Sequence, residues 1–260
     1  MNYKKKVALV TGSSKGIGLG VAREFLQQGY CVAVTSRSAD TAKTTAHLLS
    51  EETGGYCEGF AYDMNDPAAP ANLITELLAQ FGRLDVLVNN ALANTINAPI
   101  LETPDEVLDA AIIANISSAI KLCKHAQNAL LVTGGNVVTI GSSITNRYVS
   151  GLPLYAMLKS GLEKLTQALA ADWAAQGIRL NVVNPGFTHS GAAKDLGLND
   201  EQIAGLYQYL AQFQPLGTAQ PQDVAGVVSF LASDSAAKIT GAVFDVDGGH
   251  RIQGHSLFPQ

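Results

Sequence analysis

"TGSSKGIG", residues 11–18, follows the apolar run Val7-Ala8-Leu9-Val10 and precedes Leu19–Gln28, which reads as a helix. A tight turn between strand and helix aims the unpaired N–H groups of the helix N-terminus at one spot. The helix dipole favours an anion there, so a pyrophosphate fits. Glycine suits Gly12, Gly16 and Gly18 because the backbone must turn sharply and approach a ligand with no Cβ in the way. An ordinary turn is also rich in glycine and serine. The rest of the chain decides between the two readings.

Short apolar runs recur throughout: Val7–Val10, Cys31–Val34, Gly59–Tyr62, Val86–Val88, Val137–Ile140, Leu180–Val183 and Ala242–Val246. They are β-branched and nearly continuous, as strands covered on both faces are. Between them lie segments with helical spacing: Leu158, Leu162, Leu165 and Leu169 with Trp173 next in register, and Ile112, Ile116 and Ile120. Strand and helix alternating over the whole length predict an α/β fold with a doubly wound sheet. No Pro/Ser-rich linker, repeat or low-complexity tract divides the chain, so one domain over 1–260 is expected.

Of the 260 residues, 47% are apolar and 15% charged, enough for a sizeable core. A net charge of -5 argues against a nucleic-acid surface. The basic run Lys4-Lys5-Lys6 is followed by only four apolar residues before Thr11-Gly12, too few for a secretory h-region. No segment approaches the length that spans a bilayer. Cys31, Cys57 and Cys123 lie in apolar surroundings and read as small core residues, which suits a reducing, cytoplasmic setting. No metal site is expected.

The turn is spaced T-G-x-x-x-G-x-G rather than G-x-G-x-x-G, and here the chain resembles the short-chain dehydrogenase/reductase family. Asn89-Asn90-Ala91 follows the fourth strand, Asn115 lies in the next helix, and "IGSS" at 140–143 ends the fifth strand. "YAMLK" at 155–159 gives Y-x-x-x-K, "NPG" at 184–186 follows the sixth strand, and "VDGG" at 246–249 closes the seventh. These elements keep the family's order from residue 6 to residue 250. The resemblance implies a Rossmann fold with a seven-stranded parallel sheet flanked by helices. It also implies a homotetramer joined through helices near 104–131 and 153–176 and through the C-terminal strand.

Reducing a ketone creates an alkoxide that must take a proton. A tyrosine, with an ordinary pKa of about 10, needs a nearby cation to serve at neutral pH. Tyr155 and Lys159 are one helical turn apart on one face, although such pairs also occur on plain amphipathic helices. By resemblance Ser142 polarises the substrate carbonyl, with Ser143 as the nearest rival, and Asn115 holds a water that links Lys159 to a proton relay. The resemblance also places a dinucleotide against Gly12, Ser14, Lys15, Gly16, Ile17 and Gly18 of the turn. Further contacts come from Asp63 after the third strand, Asn89 and Ala91 after the fourth, Tyr155 and Lys159, and Pro185, Gly186, Thr188 and Ser190 after the sixth. The family's pattern is broken at Leu92, where glycine is usual, at Leu158, and at Ser190, where threonine is typical.

The second strand ends "VTSRS", with no acid at 35–38 to accept from a free ribose. Arg37 and Lys15 would instead pair with a 2′-phosphate, so NADP(H) is the expected cofactor. Residues 187–216, with Tyr207, Tyr209 and Phe213 at helical spacing, are by resemblance the substrate lid; a packed surface helix is the plainer account. Arg147 and Tyr148 follow the serine loop; Arg147 reads either as an anion contact or, more simply, as a solvent-facing side chain. His189 reads as a cofactor-side residue or one that only hydrogen-bonds backbone. An NADPH-dependent ketone reductase is the first functional reading. Reduction of a conjugated alkene, or a silent dinucleotide-binding regulator, are the alternatives.

Overall fold

The computed structural model describes residues 5–93, 98–147, 149–191 and 197–253. Lys4, Tyr148 and residues 192–196 of the expected lid lie outside the described residues. Among the described residues there are seven strands: β1 Val7–Val10, β2 Cys31–Ser36, β3 Cys57–Ala61, β4 Val86–Asn89, β5 Asn136–Ile140, β6 Arg179–Pro185 and β7 Val243–Val246. All pair parallel in one sheet of order β3-β2-β1-β4-β5-β6-β7. The helices are α1 Gly16–Gln27, α2 Ala39–Thr53, α3 Ala69–Phe81, α4 Asp105–Ile112, α5 Ser118–Thr133, α6 Pro153–Trp173, α7 Asp200–Ala211 and α8 Pro221–Ala232.

Each strand feeds two cores, because successive side chains point to opposite faces. From β1, Val7 and Leu9 join a cluster with Leu73, Leu77, Leu122, Leu130 and Trp173, under α3, α5 and α6. Ala8 and Val10 join the other, with Phe25, Leu26, Leu49, Val224 and Val228, under α1, α2 and α8. This two-sided burial explains the continuous apolar runs. Cys31, Cys57 and Cys123 are free and buried, as expected of core residues. Among the described residues no helix is long and apolar enough to cross a membrane.

The strand order reverses between β1 and β4, which opens a crevice at the carboxyl ends of the sheet. Two expectations are corrected in detail. β3 begins at Cys57 rather than Gly59, pairing with Val32 of β2, whose end at Ser36 falls within the expected VTSRS. The Ile112-Ile116-Ile120 stripe does not belong to one regular helix. A π-helical turn, Ile113–Ser117, joins α4 to α5, and Ile112, Ile113 and Ile120 are exposed.

Candidate active site

The phosphate-binding turn is built by long-range hydrogen bonds at the crevice. Thr11 Oγ1 donates to Val88 O at 3.1 Å and accepts the backbone amides of Asn90 (3.0 Å) and Ala91 (3.1 Å). The Asn90 side-chain amide donates to Thr11 O (2.8 Å) and Gly12 O (3.0 Å). On the β2 side, Gly12 N donates to Thr35 Oγ1 at 3.0 Å, and Ser13 Oγ accepts Thr35 N at 2.9 Å. The turn is thus clamped to both neighbouring strands, by Thr11, Ser13 and Asn90 from the quoted motifs and by Thr35, which the sequence does not single out.

Its glycines answer the opening question. Gly12 and Gly16 have φ of +62° and +57°, in the left-handed region that disfavours a side chain. A Cβ would come within 2.8 Å of Ala91 Cα at Gly12, 2.5 Å of Ser190 O at Gly16 and 2.5 Å of Gly12 O at Gly18. The N-terminus of α1 has no side-chain cap and no acidic residue in its first turn. Ser14 and Ile17 are partly buried, while Lys15 is exposed on the turn. This cradle, closed to side chains and open to an anion, fits a dinucleotide.

Thr35 touches the turn, and Arg37 follows it just past the end of β2. Arg37 is exposed and has no hydrogen-bond or ion-pair partner among the described residues. Asp63 is also exposed, and its carboxylate accepts the Asn65 backbone and side-chain amides, both at 3.0 Å. Asn89 donates to Cys123 Sγ at 3.3 Å. Leu92, the departure from glycine, is 41% exposed at the crevice.

Lys159 is 3% exposed, and its ammonium donates to Ile140 O at 2.8 Å. It lies 5.9 Å from the centre of the Tyr155 ring. Burial pushes the lysine down to about 8. Tyr155 is held above its ordinary value by burial, opposed by a hydrogen bond with the Ser142 side chain. The helical pair in the sequence predicts a depressed Tyr155, but within the protein desolvation of the phenol is the larger effect.

Ser142 caps a short 3₁₀ turn, Ser143–Asn146, accepting Ile144 N at 3.3 Å. Its own backbone amide donates to Asn184 Oδ1 at 2.9 Å. The rival Ser143 faces elsewhere: its hydroxyl is buried, 3.4 Å from His250 Nδ1. Asn115 sits in the π turn, 1% exposed, donating to Ala93 O (2.6 Å) and Ala111 O (2.8 Å) and accepting Ala93 N (3.1 Å). π turns are frequent at functional sites. Beside it a cavity of about 20 Å³ is lined by Thr11, Tyr62, Asn89 and Ser118, with space for about one water.

On the far side, Pro185 pairs with Val246 and Gly186 N donates to Val246 O at 3.0 Å. Thr188 bridges to Ala219, and Ser190 O faces Gly16. His189 does more than bond backbone: Nε2 is 2.9 Å from Thr218 Oγ1, and its ring stacks on Tyr207. Arg147 is half-buried rather than solvent-facing, donating to Gln253 O at 2.6 Å. A larger cavity, about 610 Å³, opens at the opposite, amino-terminal end of the strands between Lys6, Asp85, Asn136 and Arg179. No residue singled out in the sequence for chemistry lines it. Among the described residues no group of His, Cys, Asp and Glu could hold a metal.

Comparison with known proteins agrees with this architecture. A family model described as enoyl-(acyl carrier protein) reductase matches residues 12–251. The 3-oxoacyl-[acyl-carrier-protein] reductase FabG of Escherichia coli (strain K12) is 36% identical over 250 residues, 96% of this chain and 98% of the relative. A probable 2,4-dienoyl-CoA reductase 3 of Caenorhabditis elegans is 32% identical over 261 residues, 97% of this chain and 82% of the relative. The crystal structure of L-sorbose reductase from Gluconobacter frateurii, complexed with NADPH and L-sorbose, superimposes with a TM-score of 0.88. It is 28% identical and covers 97% of this chain and 99% of its own. The glycine turn, the Tyr155–Lys159 helix and the sheet order therefore have one explanation: this chain is an oxidoreductase with a nucleotide cofactor and belongs to the short-chain dehydrogenase/reductase family.

Proposed function

We propose that the protein is an NADP(H)-dependent reductase that converts a ketone to a secondary alcohol, reversibly. The observation that carries this reading is the hydrogen-bonded pair of Ser142 and Tyr155 hydroxyls beside the buried Lys159. Two hydroxyls in mutual reach can both donate to one carbonyl oxygen, where negative charge grows during reduction. The bound nicotinamide would supply the hydride. Tyr155 gives its proton to the oxygen as the C–O⁻ forms, and the Lys159 ammonium stabilises the phenolate left behind. Asn115 fixes the loop at Ala93 and would hold the water that links Lys159 to a proton relay. In the reverse direction the same groups act as base.

The glycine turn and the N-terminus of α1 would hold the pyrophosphate, with Ser14, Ile17, Asn89 and Ala91 along the dinucleotide and Asp63 at the adenine. Pro185, Gly186, Thr188 and Ser190 would border the nicotinamide. Arg37 and Lys15 would clasp a 2′-phosphate. The NADPH complexed with the sorbose reductase supports that choice. Reduction of a conjugated alkene is favoured by a different observation, the enoyl and dienoyl reductases among the matches. The exposed Ile112, Ile113, Ile120, Leu131 and Val132 on α4, the π turn and α5 support assembly into a homotetramer, which light scattering would measure.

NADPH oxidation followed optically over a panel of ketones and enones tests the reading. Turnover of ketones is expected. Turnover confined to enones would replace ketone reduction by alkene reduction, and no turnover with either would favour a silent binding protein.

A further inference from the structure

We propose that Glu163 is a positioning residue for the reaction: through Asn184 and Thr145 it holds Ser142 where the serine hydroxyl meets the substrate oxygen. This rests on the proposed ketone reduction. Glu163 lies on α6, four residues beyond Lys159 and eight beyond Tyr155, so it shares their face. It is half-buried and forms no ion pair among the described residues. Arg251, the cation that senses its charge, is taken by Asp245 at 2.6 Å. Glu163 is bonded instead by two neutral donors, both at Oε2: Asn184 Nδ2 and Thr145 Oγ1, each at 2.9 Å.

Those two bonds order the groups around Ser142. With Nδ2 of Asn184 towards Glu163, its Oδ1 accepts Ser142 N at 2.9 Å. Turned over, the amide would set its oxygen against a carboxylate and its NH2 against an N–H, and both contacts would repel. Glu163 therefore decides which way the amide points, and through it where the Ser142 backbone lies. Thr145 acts on the other side of the same residue. Its backbone amide donates to Ser142 O at 3.1 Å, and its hydroxyl lies 3.1 Å from that carbonyl and accepts Asn184 Nδ2 at 3.2 Å. With N–H and C=O both held, the Ser142 side chain has a fixed origin. Its Oγ accepts Ile144 N at 3.3 Å, which leaves the hydroxyl proton for Tyr155 or for a substrate oxygen in front of it. Glu163, Asn184 and Thr145 are assigned no contact with the reacting atoms.

Ketone reduction by Glu163→Leu, measured in the wild type and again in a Ser142→Ala background, separates positioning from support of the fold. Ser142→Ala alone should lower kcat by about a hundredfold or more, the usual loss on removing a donor to a growing oxyanion. Glu163→Leu should lower kcat by about tenfold or more, as displacement of a reacting group does, with the NADPH dissociation constant within about threefold. In the Ser142→Ala background the same substitution should change kcat by less than about threefold, because the group it places is gone. A residue that only supports the fold would slow both backgrounds alike. Glu163→Gln keeps an acceptor for Asn184 and Thr145 and should hold kcat within about threefold of the wild type. Thermal unfolding checks that each variant is folded; should Glu163→Leu fail to fold, Asn184→Ala is read in the same two backgrounds with the same outcome expected. A leucine variant as fast as the wild type, a loss equally large without the Ser142 hydroxyl, or a glutamine variant as slow as the leucine one would overturn the positioning role alone. A wild type that reduces no ketone, or a Ser142→Ala variant as fast as the wild type, would overturn the functional reading with it.

Discussion

Lys159→Met should separate catalysis from stability, because the lysine sits where the fold would accept an apolar side chain more readily. It is 3% exposed, has no carboxylate partner among the described residues, and donates to Ile140 O with the Tyr155 ring 5.9 Å away. Burial takes its pKa from 10.5 to about 8. At about 1.4 kcal/mol per pH unit, holding the ammonium charged inside the protein costs about 3 kcal/mol at neutral pH. Methionine has a similar reach and removes that cost, while the lost partner of Ile140 O opposes the gain by about 1–3 kcal/mol. At about pH 7 the variant should therefore be as stable as the wild type or more so, by up to about 2 kcal/mol. Between the folded pKa and 10.5 the unfolded chain binds more protons than the folded one. Wild-type stability must then rise with pH across that window. Urea unfolding of both proteins at about pH 7 and about pH 10 measures the difference, which should move in favour of the wild type by about 2–3 kcal/mol. Ketone reduction should fall at least about a hundredfold in the variant. A variant weakened by more than about 2 kcal/mol at neutral pH, or a difference that ignores pH, would refute the claim that Lys159 is a buried, uncompensated charge.

Tyr155→Phe should lower turnover by at least about a hundredfold, the usual contribution of a general acid, with NADPH affinity by fluorescence nearly unchanged. A variant that keeps most of its activity would remove Tyr155 from the mechanism. Gly16→Ala should cost about 1–3 kcal/mol and weaken NADPH binding, since φ is +57° and the new Cβ meets Ser190 O at 2.5 Å; an unchanged melting temperature and dissociation constant would contradict the crowding at that position. Arg37→Asp should move preference from NADPH towards NADH by about tenfold or more, measured as the ratio of kcat/KM values, because Arg37 is exposed and its contact with a phosphate is screened. Equal use of both cofactors by the wild type, with no response to that substitution, would make Arg37 an ordinary surface charge.

The strands are legible in the sequence because both faces are covered, which leaves unbroken apolar runs such as Val7–Val10. The start of β3 is hidden because Glu58, half-exposed at the sheet edge, interrupts the apolar pattern. The end of β2 at VTSRS is legible, but that Thr35 there holds Gly12 and Ser13 of the turn is not. The π turn leaves no mark, since Ile112, Ile116 and Ile120 suit a continuous helix; only the backbone of Ile113–Ser117 reveals it. The clamp of Thr11 and Asn90 joins residues about eighty positions apart, and the stack of His189 on Tyr207 crosses eighteen. Local patterns carry no information about such pairs. Tyr155 and Lys159 are legible as a helical pair, whereas the depth at which Lys159 is buried is a property of the packed sheet.

The end of β5 explains why the proposed catalytic groups hold their spacing. Ile140 O accepts Lys159 Nζ at 2.8 Å, Gly141 N donates to Val183 O at 2.8 Å, and Ser142 N donates to Asn184 Oδ1 at 2.9 Å. A Cβ at position 141 would fall 1.9 Å from Asn184 Oδ1, so glycine there is what lets Asn184 reach Ser142. The Asn184 amide in turn donates to Glu163 Oε2 at 2.9 Å and Thr145 Oγ1 at 3.2 Å, and Thr145 Oγ1 donates to Glu163 Oε2 at 2.9 Å. Tyr155, Lys159 and Glu163 follow one another at four-residue steps on α6, so they share a face. That face fixes Ser142 through Glu163 and Asn184, and Lys159 through Ile140. The positions of the donor serine, the tyrosine and the lysine therefore depend on one docking, α6 against β5 and β6. The loop at Arg147 and helix α7 attach from outside this core, so changes there should leave the spacing of these groups intact.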